Sequence, residues 1–162
     1  AELEKKGLLK EVITQNIDNL HQEAGNSIVH EFHGNSQKLV CTKCHKHFGV
    51  SEINLDKLPV NCPSCSSLLK PDFIFFGEGI PMEAYSGSKK AAEKSDVFLI
   101  IGSTGEVSPA NQIPMLAKQT GSLLIEINPE PSRYTNYITD IYLAGKAGDI
   151  MTRLMAEIYK KH

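Results

Sequence analysis

The sequence lacks an excess of charge of either sign, and it lacks any long apolar run. Its 162 residues carry a net charge of -2, so no basic surface points to nucleic acid or to an anionic membrane. No apolar stretch approaches the roughly 20 residues of a membrane span. The opening residues, AELEKKG, do not resemble a signal peptide. We therefore expect an intracellular, cytoplasmic protein without nucleic-acid or membrane partners.

Cysteine is missing from most of the chain, and all four copies fall in one region, as Cys41-x2-Cys44 and Cys62-x2-Cys65. Two such turns can each point two thiolates at one centre and complete a tetrahedron around Zn²⁺. Four thiolates leave no position for a reactive water, so the predicted zinc site is structural. The alternative is two unrelated redox or disulfide pairs, which a reducing compartment disfavours.

Short apolar runs alternate with helical patterns along the rest of the chain. The runs that predict strands are residues 12–14, 28–32, 73–76, 96–102, 122–127 and 138–143. Helical patterns cover residues 82–94, a segment that starts at Pro109, and the last residues from Asp149. Strands that alternate with helices predict an α/β fold with a doubly wound parallel sheet.

Polar residues follow the ends of the first two predicted strands. Gln15, Asn16 and Asp18 come after the first strand, and His33 comes after the second. In open α/β sheets the carboxyl edge is where ligands bind, because polar groups there reach a crevice. We expect these side chains to lie beside one another.

Later strand ends carry small and polar residues of a second kind. They are Gly102-Ser103-Thr104, Asn128-Pro129-Glu130 and Gly145-Lys146-Ala147-Gly148. Such residues can bring backbone N–H groups to a phosphate or meet a ribose hydroxyl. Taken singly, each also fits an ordinary strand-to-helix turn.

The motifs in succession identify a family. TQNID, EFHG, the paired CxxC, KPDFIFFGE, GST, INPEP and GKAG together resemble the catalytic core of the sirtuins, the NAD-dependent protein-lysine deacylases. The resemblance covers nearly the whole chain. It implies a Rossmann-like NAD-binding domain at residues 1–38 and 71–162, interrupted by a zinc module at residues 39–70.

The resemblance also implies a role for each motif. Gln15, Asn16 and Asp18 would line the site for nicotinamide and its ribose, with His33 as the general base. The residues implied to hold the rest of NAD are Gly102, Ser103, Thr104, Asn128, Glu130 and Ala147. An acylated lysine peptide would lie as an added strand against two walls, formed by Ile74, Phe76, Gly77 and Glu78 and by Val107.

The implied reaction needs the imidazole of His33. In the family, the acyl oxygen attacks C1′ of the nicotinamide ribose, nicotinamide leaves, and a base deprotonates a ribose hydroxyl, so that the acyl group ends on ADP-ribose. An imidazole titrates near neutrality and can accept and return that proton. A lone histidine at a strand end is usually structural, and its position in the motif is what selects His33.

The sequence departs from the family pattern in two places. Gly105 and Ser108 stand where sirtuins usually carry an apolar and often an aromatic residue, which loosens the expected peptide wall. No Gly-Ala-Gly-Ile-Ser segment is present. We therefore expect the carboxyl-terminal part of a sirtuin core, lacking the first part of the fold and inactive by itself.

Two other functions use the same residues. One is a non-catalytic, zinc-stabilised module of the same fold that binds extended peptides by strand addition. The other is ADP-ribosyl transfer or NAD hydrolysis at the same site. The QNID segment together with His33 favours an enzyme, since a binding module needs neither.

Overall fold

The structure is a computed structural model that describes residues 1–75 and 77–161, without the side chain of Lys161. The chain divides into two compact units, residues 1–85 and the residues from 86 onward. Within the described residues, no helix is both long and apolar enough to cross a membrane.

The first unit begins with a small parallel sheet. Helix α1 (Glu2–Lys5) precedes strand β1 (Val12–Thr14), and helix α2 (Leu20–Glu23) leads to strand β2 (Val29–Glu31). The strands are parallel, as the alternating pattern predicts.

The first unit also contains an antiparallel sheet of three strands and a short 3-10 helix (Val50–Glu52). Strand β3 (Gly34–Cys41) lies between β4 (His47–Gly49) and β5 (Leu69–Phe73). The predicted strand at residues 73–76 is wrong in its position: β5 ends at Phe73, because its pairing with β3 runs from Cys41↔Leu69 to Gly34↔Phe73. Its last predicted residue, Phe76, lies outside the described residues.

The second unit contains a parallel sheet with the order β6-β7-β8. The elements from residue 82 onward are α3 (Met82–Lys94), β6 (Val97–Ile101), α4 (Gln112–Gln119), β7 (Leu123–Asn128), β8 (Ile141–Ala144) and α5 (Ala147–Lys161). Helix α3 has the predicted bounds. Strand β8 starts later than predicted, because the N–H groups of Ile138 and Thr139 are bonded to the carbonyl of Tyr134 in a turn.

The apolar core of the second unit lies between its strands and its helices. Its buried side chains are Ala92, Ile100, Ala110, Ile113, Ala117, Leu124, Ile127, Tyr134 and Ile138. Parallel strands covered by helices and interrupted by a four-cysteine module confirm the predicted α/β class.

Candidate functional site

His33 lies in the tight turn that joins β2 to β3, and the following glycine makes that turn possible. Gly34 has φ +77, and a Cβ there would lie 2.2 Å from the Asp72 carbonyl oxygen and 2.8 Å from the Phe73 Cα. Strand β5 passes this close because Gly34 and Phe73 are paired. Only glycine combines this φ with such an approach.

Backbone groups on both sides hold His33 in place. Its Nδ1 lies 3.3 Å from the carbonyl oxygen of Gln15, and its own carbonyl accepts the N–H of Ile74 at 3.0 Å. A carbonyl oxygen can only accept, so Nδ1 carries the hydrogen of the neutral ring. The lone pair therefore resides on Nε2, which is the nitrogen able to take a proton from a ligand.

The segment from Gln15 to Asp18 is fastened to strand β3. Ser36 donates to the carbonyl of Ile17 from both its N–H, at 2.9 Å, and its hydroxyl, at 2.7 Å. Asp18 accepts the N–H of Leu20 at 3.0 Å through one carboxylate oxygen. The structure thus brings Gln15 to His33 and keeps Asn16 and Asp18, both exposed, in the same short loop.

The carboxylate of Glu31, which was not among the predicted site residues, joins a hydrogen-bond network next to this loop. Glu31 accepts hydrogen bonds from Gln22 at 2.7 Å and from Lys38 at 2.9 Å, and another from Asn35. Asn35, which is 1% exposed, also donates to the side chain of Asn19 at 2.8 Å. The sequence contains a signal for this network, since the polar residues Glu31 and Asn35 lie on either side of the HG motif.

The first predicted peptide wall is shaped by an ion pair. Both carboxylate oxygens of Glu78 lie 2.7 Å from the Lys70 ammonium, and one accepts the N–H of Phe75 at 3.1 Å. The Lys70 hydrogen bond is the main reason why the pKa of Glu78 is below its ordinary value. The Glu78 carboxylate is thus occupied in forming the turn. Gly77 is exposed, and Ile74 is half-buried.

The predicted NAD residues of the second unit gather at the carboxyl edge of its sheet. The N–H of Gly102 donates to the carbonyl of Ile127 at 3.0 Å, and the Asn128 amide donates to the carbonyl of Ser103 at 3.0 Å. Gly145 donates to the carbonyl of Asn128 at 3.0 Å. Thr104 and Glu130 are exposed at this edge, and Ala147 is the first residue of α5.

The departure from the family pattern at Gly105 has a local cause. Gly105 has φ +75, and a Cβ there would lie 3.0 Å from two ring atoms of the buried Tyr134. An apolar side chain would be strained at this φ and would displace the ring. The neighbouring Val107, the second predicted peptide wall, is 45% exposed.

The four cysteines form one cluster whose sulfur atoms all lie within 4.8 Å of one another. The Sγ atoms of Cys41 and Cys65 are 3.4 Å apart, and those of Cys44 and Cys62 are 3.7 Å apart. Disulfide sulfurs are about 2.0 Å apart, so these are free thiols. Four sulfurs around a zinc ion, each at about 2.3 Å, lie about 3.8 Å from one another. The cluster therefore fits a tetrahedral metal.

Backbone groups prepare the cluster for negative charge. The N–H groups of Lys43 and Cys44 both point at the Cys41 sulfur, at 3.4 Å. The Cys44 N–H is the main cause of the lowered pKa of Cys41, and the Ser67 N–H lowers the pKa of Cys65 to about 6. Burial and hydrogen bonds to the other cysteines raise the pKa of Cys44 to about 11, so without a metal the cluster does not hold four thiolates. Metals bind cysteine as thiolate, so the two lowered pKa values favour a metal-binding role for Cys41 and Cys65.

Known proteins share both the sequence and the fold of this chain. The model of a family described as the Sir2 family matches residues 1–109. An NAD-dependent protein deacylase of Thermococcus sibiricus is 44% identical over 98% of this chain and 64% of its own length. One of Pyrococcus furiosus is 44% identical over 98% of this chain and 65% of its own length. This chain thus spans a little under two thirds of the curated relatives it matches.

Solved structures of Sir2 proteins share the fold of this chain. A complex of a Sir2 homologue with NAD superposes with a TM-score of 0.92 at 39% identity, over 99% of this chain and 62% of that one. A complex of Sir2 with a p53 peptide and NAD⁺ superposes with a TM-score of 0.88 at 32% identity, over 97% of this chain and 66% of that one. The chain belongs to the Sir2 family.

Proposed function

We propose that the protein is an NAD-dependent protein-lysine deacylase, which transfers the acyl group of an acyl-lysine to ADP-ribose and releases nicotinamide. The single observation that carries this proposal is the geometry of His33, whose Nδ1 is held by the Gln15 carbonyl, so that the proton-accepting lone pair of the neutral ring lies on Nε2. The names of the relatives, NAD-dependent protein deacylase, support the same activity.

His33 is the general base of this proposal. The carbonyl of Gln15 fixes the tautomer, and the N–H of Ile74 fixes the backbone of the turn, so the imidazole keeps one orientation. Such fixed acid–base groups typically contribute about 10²- to 10⁴-fold to a rate. Gln15, Asn16 and Asp18 surround the nicotinamide and its ribose, because their loop is the one that carries the His33 contact.

The second unit holds the rest of NAD. Two of its groups suit that role: small residues at the end of β6, and the amide of Asn128 at the end of β7, which lies beside them. Backbone N–H groups at such strand ends suit phosphate, and polar side chains suit ribose hydroxyls. The proposed contacts are made by Gly102, Ser103, Thr104, Asn128, Glu130 and Ala147.

An acylated lysine in an extended peptide is the proposed substrate, bound by strand addition. Two similar solved structures hold a p53 peptide and a propionylated peptide, which supports peptide as the partner. Ile74, Phe76, Gly77 and Val107 would contact the peptide. Glu78 would act on it through the shape of the turn, since its carboxylate is bonded to Lys70.

The four-cysteine cluster is proposed to hold zinc through Cys41, Cys44, Cys62 and Cys65. Its role is structural, because four thiolates leave no coordination position for a substrate or water. The zinc module is assigned residues 39–70, between two parts of the Rossmann-like domain at residues 1–38 and 71–162. Thiolate ligands remain reduced in the cytoplasm, where we place the protein.

The test is release of nicotinamide from NAD by the complete protein, measured with and without an acetyl-lysine peptide. A deacylase releases nicotinamide only when the peptide is present. The acetyl-lysine of the peptide becomes free lysine and its acetyl group ends on ADP-ribose, and both products are visible by mass spectrometry. Release at the same rate without peptide would instead make the protein an NAD hydrolase. Peptide binding without release would make it a binding module, and either result overturns the proposal.

A further inference from the structure

Glu126 is a buried charge with no part in the function proposed above. It interrupts the apolar strand β7 and is 0% exposed. We propose that Glu126 is a positioning residue, which orients the amide of Asn128 so that its oxygen accepts a hydrogen bond from a ribose hydroxyl of NAD. This inference rests on the proposed function and adds to it a residue two positions from the ligand contact.

A buried carboxylate is costly unless hydrogen bonds compensate for the lost water. The Thr135 hydroxyl lies 3.0 Å from Oε1 and 2.9 Å from Oε2 of Glu126, and it donates to this carboxylate. The Thr139 hydroxyl donates to Oε2 at 2.7 Å. Burial raises the pKa of Glu126, but hydrogen bonds from Ser132, Asn128 and the two threonines outweigh burial and lower it. The group therefore remains a carboxylate, which can only accept.

The partners of Asn128 determine which way its amide points. Its Nδ2 lies 2.9 Å from Oε1 of Glu126 and 3.0 Å from the carbonyl oxygen of Ser103. Both partners are acceptors, so the amide nitrogen must face them, and its two hydrogens are used. A flipped amide would place its oxygen against two other oxygens. The network thus leaves Oδ1 as the atom available to a ligand.

An amide oxygen selects the chemistry of what it binds. It accepts a hydrogen bond, which excludes a phosphate oxygen as its partner and favours a hydroxyl. Asn128 ends its strand at the sheet edge next to Ser103, where NAD is proposed to lie. Ribose is the part of NAD that offers hydroxyl groups, and its hydroxyl is therefore the proposed donor to Oδ1.

The test compares NAD with analogues that lack the 2′- or the 3′-hydroxyl of the adenosine ribose, by calorimetric titration of the complete protein. One neutral hydrogen bond should make one analogue about two- to twelvefold weaker than NAD. In Glu126→Met the acceptor is gone and the amide can turn, so this ratio should fall towards one. Glu126→Gln, which still offers an oxygen, should keep it.

Two further variants separate positioning from simple support of the fold. Thr139→Val removes a hydrogen bond from the same carboxylate without touching Asn128, and it should keep the ratio even if NAD binding weakens overall. Glu126→Asp keeps the charge but withdraws it from Asn128, and this variant should lower the ratio. Glu126→Asp also replaces Glu126→Met in the comparison if circular dichroism shows that Glu126→Met does not fold.

Three results would overturn the inference. The ratio could stay unchanged in Glu126→Met or Glu126→Asp, it could fall equally in Thr139→Val, or the parent protein could bind both analogues as tightly as NAD. A parent protein that binds neither NAD nor ADP-ribose would refute the proposed function itself, and the role of Glu126 with it. Failure of the inference alone leaves NAD binding intact.

Discussion

The four-cysteine module and the β6-β7-β8 unit are stabilised in different ways. The module fully buries Leu39 and Leu69 beside Cys41 and Cys62, and a few partly buried apolar side chains pack against them; this core is too small to be stable alone. The β6-β7-β8 unit buries a continuous layer of aliphatic side chains around Leu124 and Ile127. With the zinc proposed above, the first region would depend on its metal, whereas the second depends on apolar burial and can accommodate a hydrogen-bonded carboxylate.

The stability of the module should affect the candidate site, because two strands of the module continue into that site. Strand β3 begins at Gly34, next to His33, and β5 leads to Ile74, whose N–H holds the His33 carbonyl. The sheet next to the proposed metal site thus supports the proposed base, while the sheet of the other unit carries Asn128. Loss of the metal should disturb His33 without unfolding the β6-β7-β8 sheet.

The largest expected effect is that of removing the metal. In Cys62→Ala the protein should lose its zinc and the folding of the module, because one of the four ligands is gone. A structural zinc site supplies about 10–16 kcal/mol of apparent binding free energy, which is as large as the whole free energy of unfolding of a typical domain. Elemental analysis and limited proteolysis measure this: residues 39–70 should become cleavable while the segment from residue 86 stays protected. His45→Asn, at an exposed position with φ 55 that asparagine tolerates, is the matched control and should keep the metal. A Cys62→Ala protein that keeps both metal and stability would contradict this account.

A smaller effect should follow from Gly34→Ala. The new Cβ would overlap the Asp72 carbonyl at an unfavourable φ, and we expect a loss of about 3–5 kcal/mol in the free energy of unfolding. Gly7→Ala provides the control, since Gly7 has φ +72 with nothing within 4 Å of a Cβ. It should cost about 1–2 kcal/mol. Urea denaturation compares the two, and equal losses would show that β5 does not pass close to the turn.

The smallest effect is the loss, in acid, of the stability that Glu126 contributes to the second unit. The folded pKa of Glu126 lies below its ordinary 4.5, so the stability it contributes is present above pH 4.5 and is lost as the pH falls through the folded value. Thermal unfolding between pH 6 and pH 3 should therefore show a steeper decline for the parent than for Glu126→Gln. Parallel declines would contradict this expectation, because they would mean that the pKa of Glu126 is the same in the folded and unfolded states.

Local patterns predicted much of the fold. The apolar run at residues 12–14 and the helical pattern at residues 82–94 match β1 and α3 because their own residues favour those elements. The cysteine cluster followed from spacing alone. Strand β5 was misplaced because Lys70, Pro71 and Asp72 do not resemble a strand, and they become one only by pairing with β3.

Contacts between distant residues account for what was missed at the candidate site. The hydrogen bond from Asn128 to Ser103 and the contact of Gly105 with Tyr134 join segments about 25 to 30 positions apart, which no local pattern reveals. Glu126 did leave a signal, as the one charged residue in the buried run LLIEIN. An acidic residue in such a run needs compensating hydrogen bonds, and it is therefore a candidate for a buried network.

The most direct test of the central claim is the rate of deacetylation by the complete protein carrying His33→Ala. Removing the imidazole leaves no proton acceptor beside the Gln15 carbonyl, so kcat should fall by about 10²- to 10⁴-fold while the thermal unfolding midpoint and the zinc content stay at their parent values. Added imidazole should restore part of the rate. Activity within about threefold of the parent would contradict the assignment of His33 as the base.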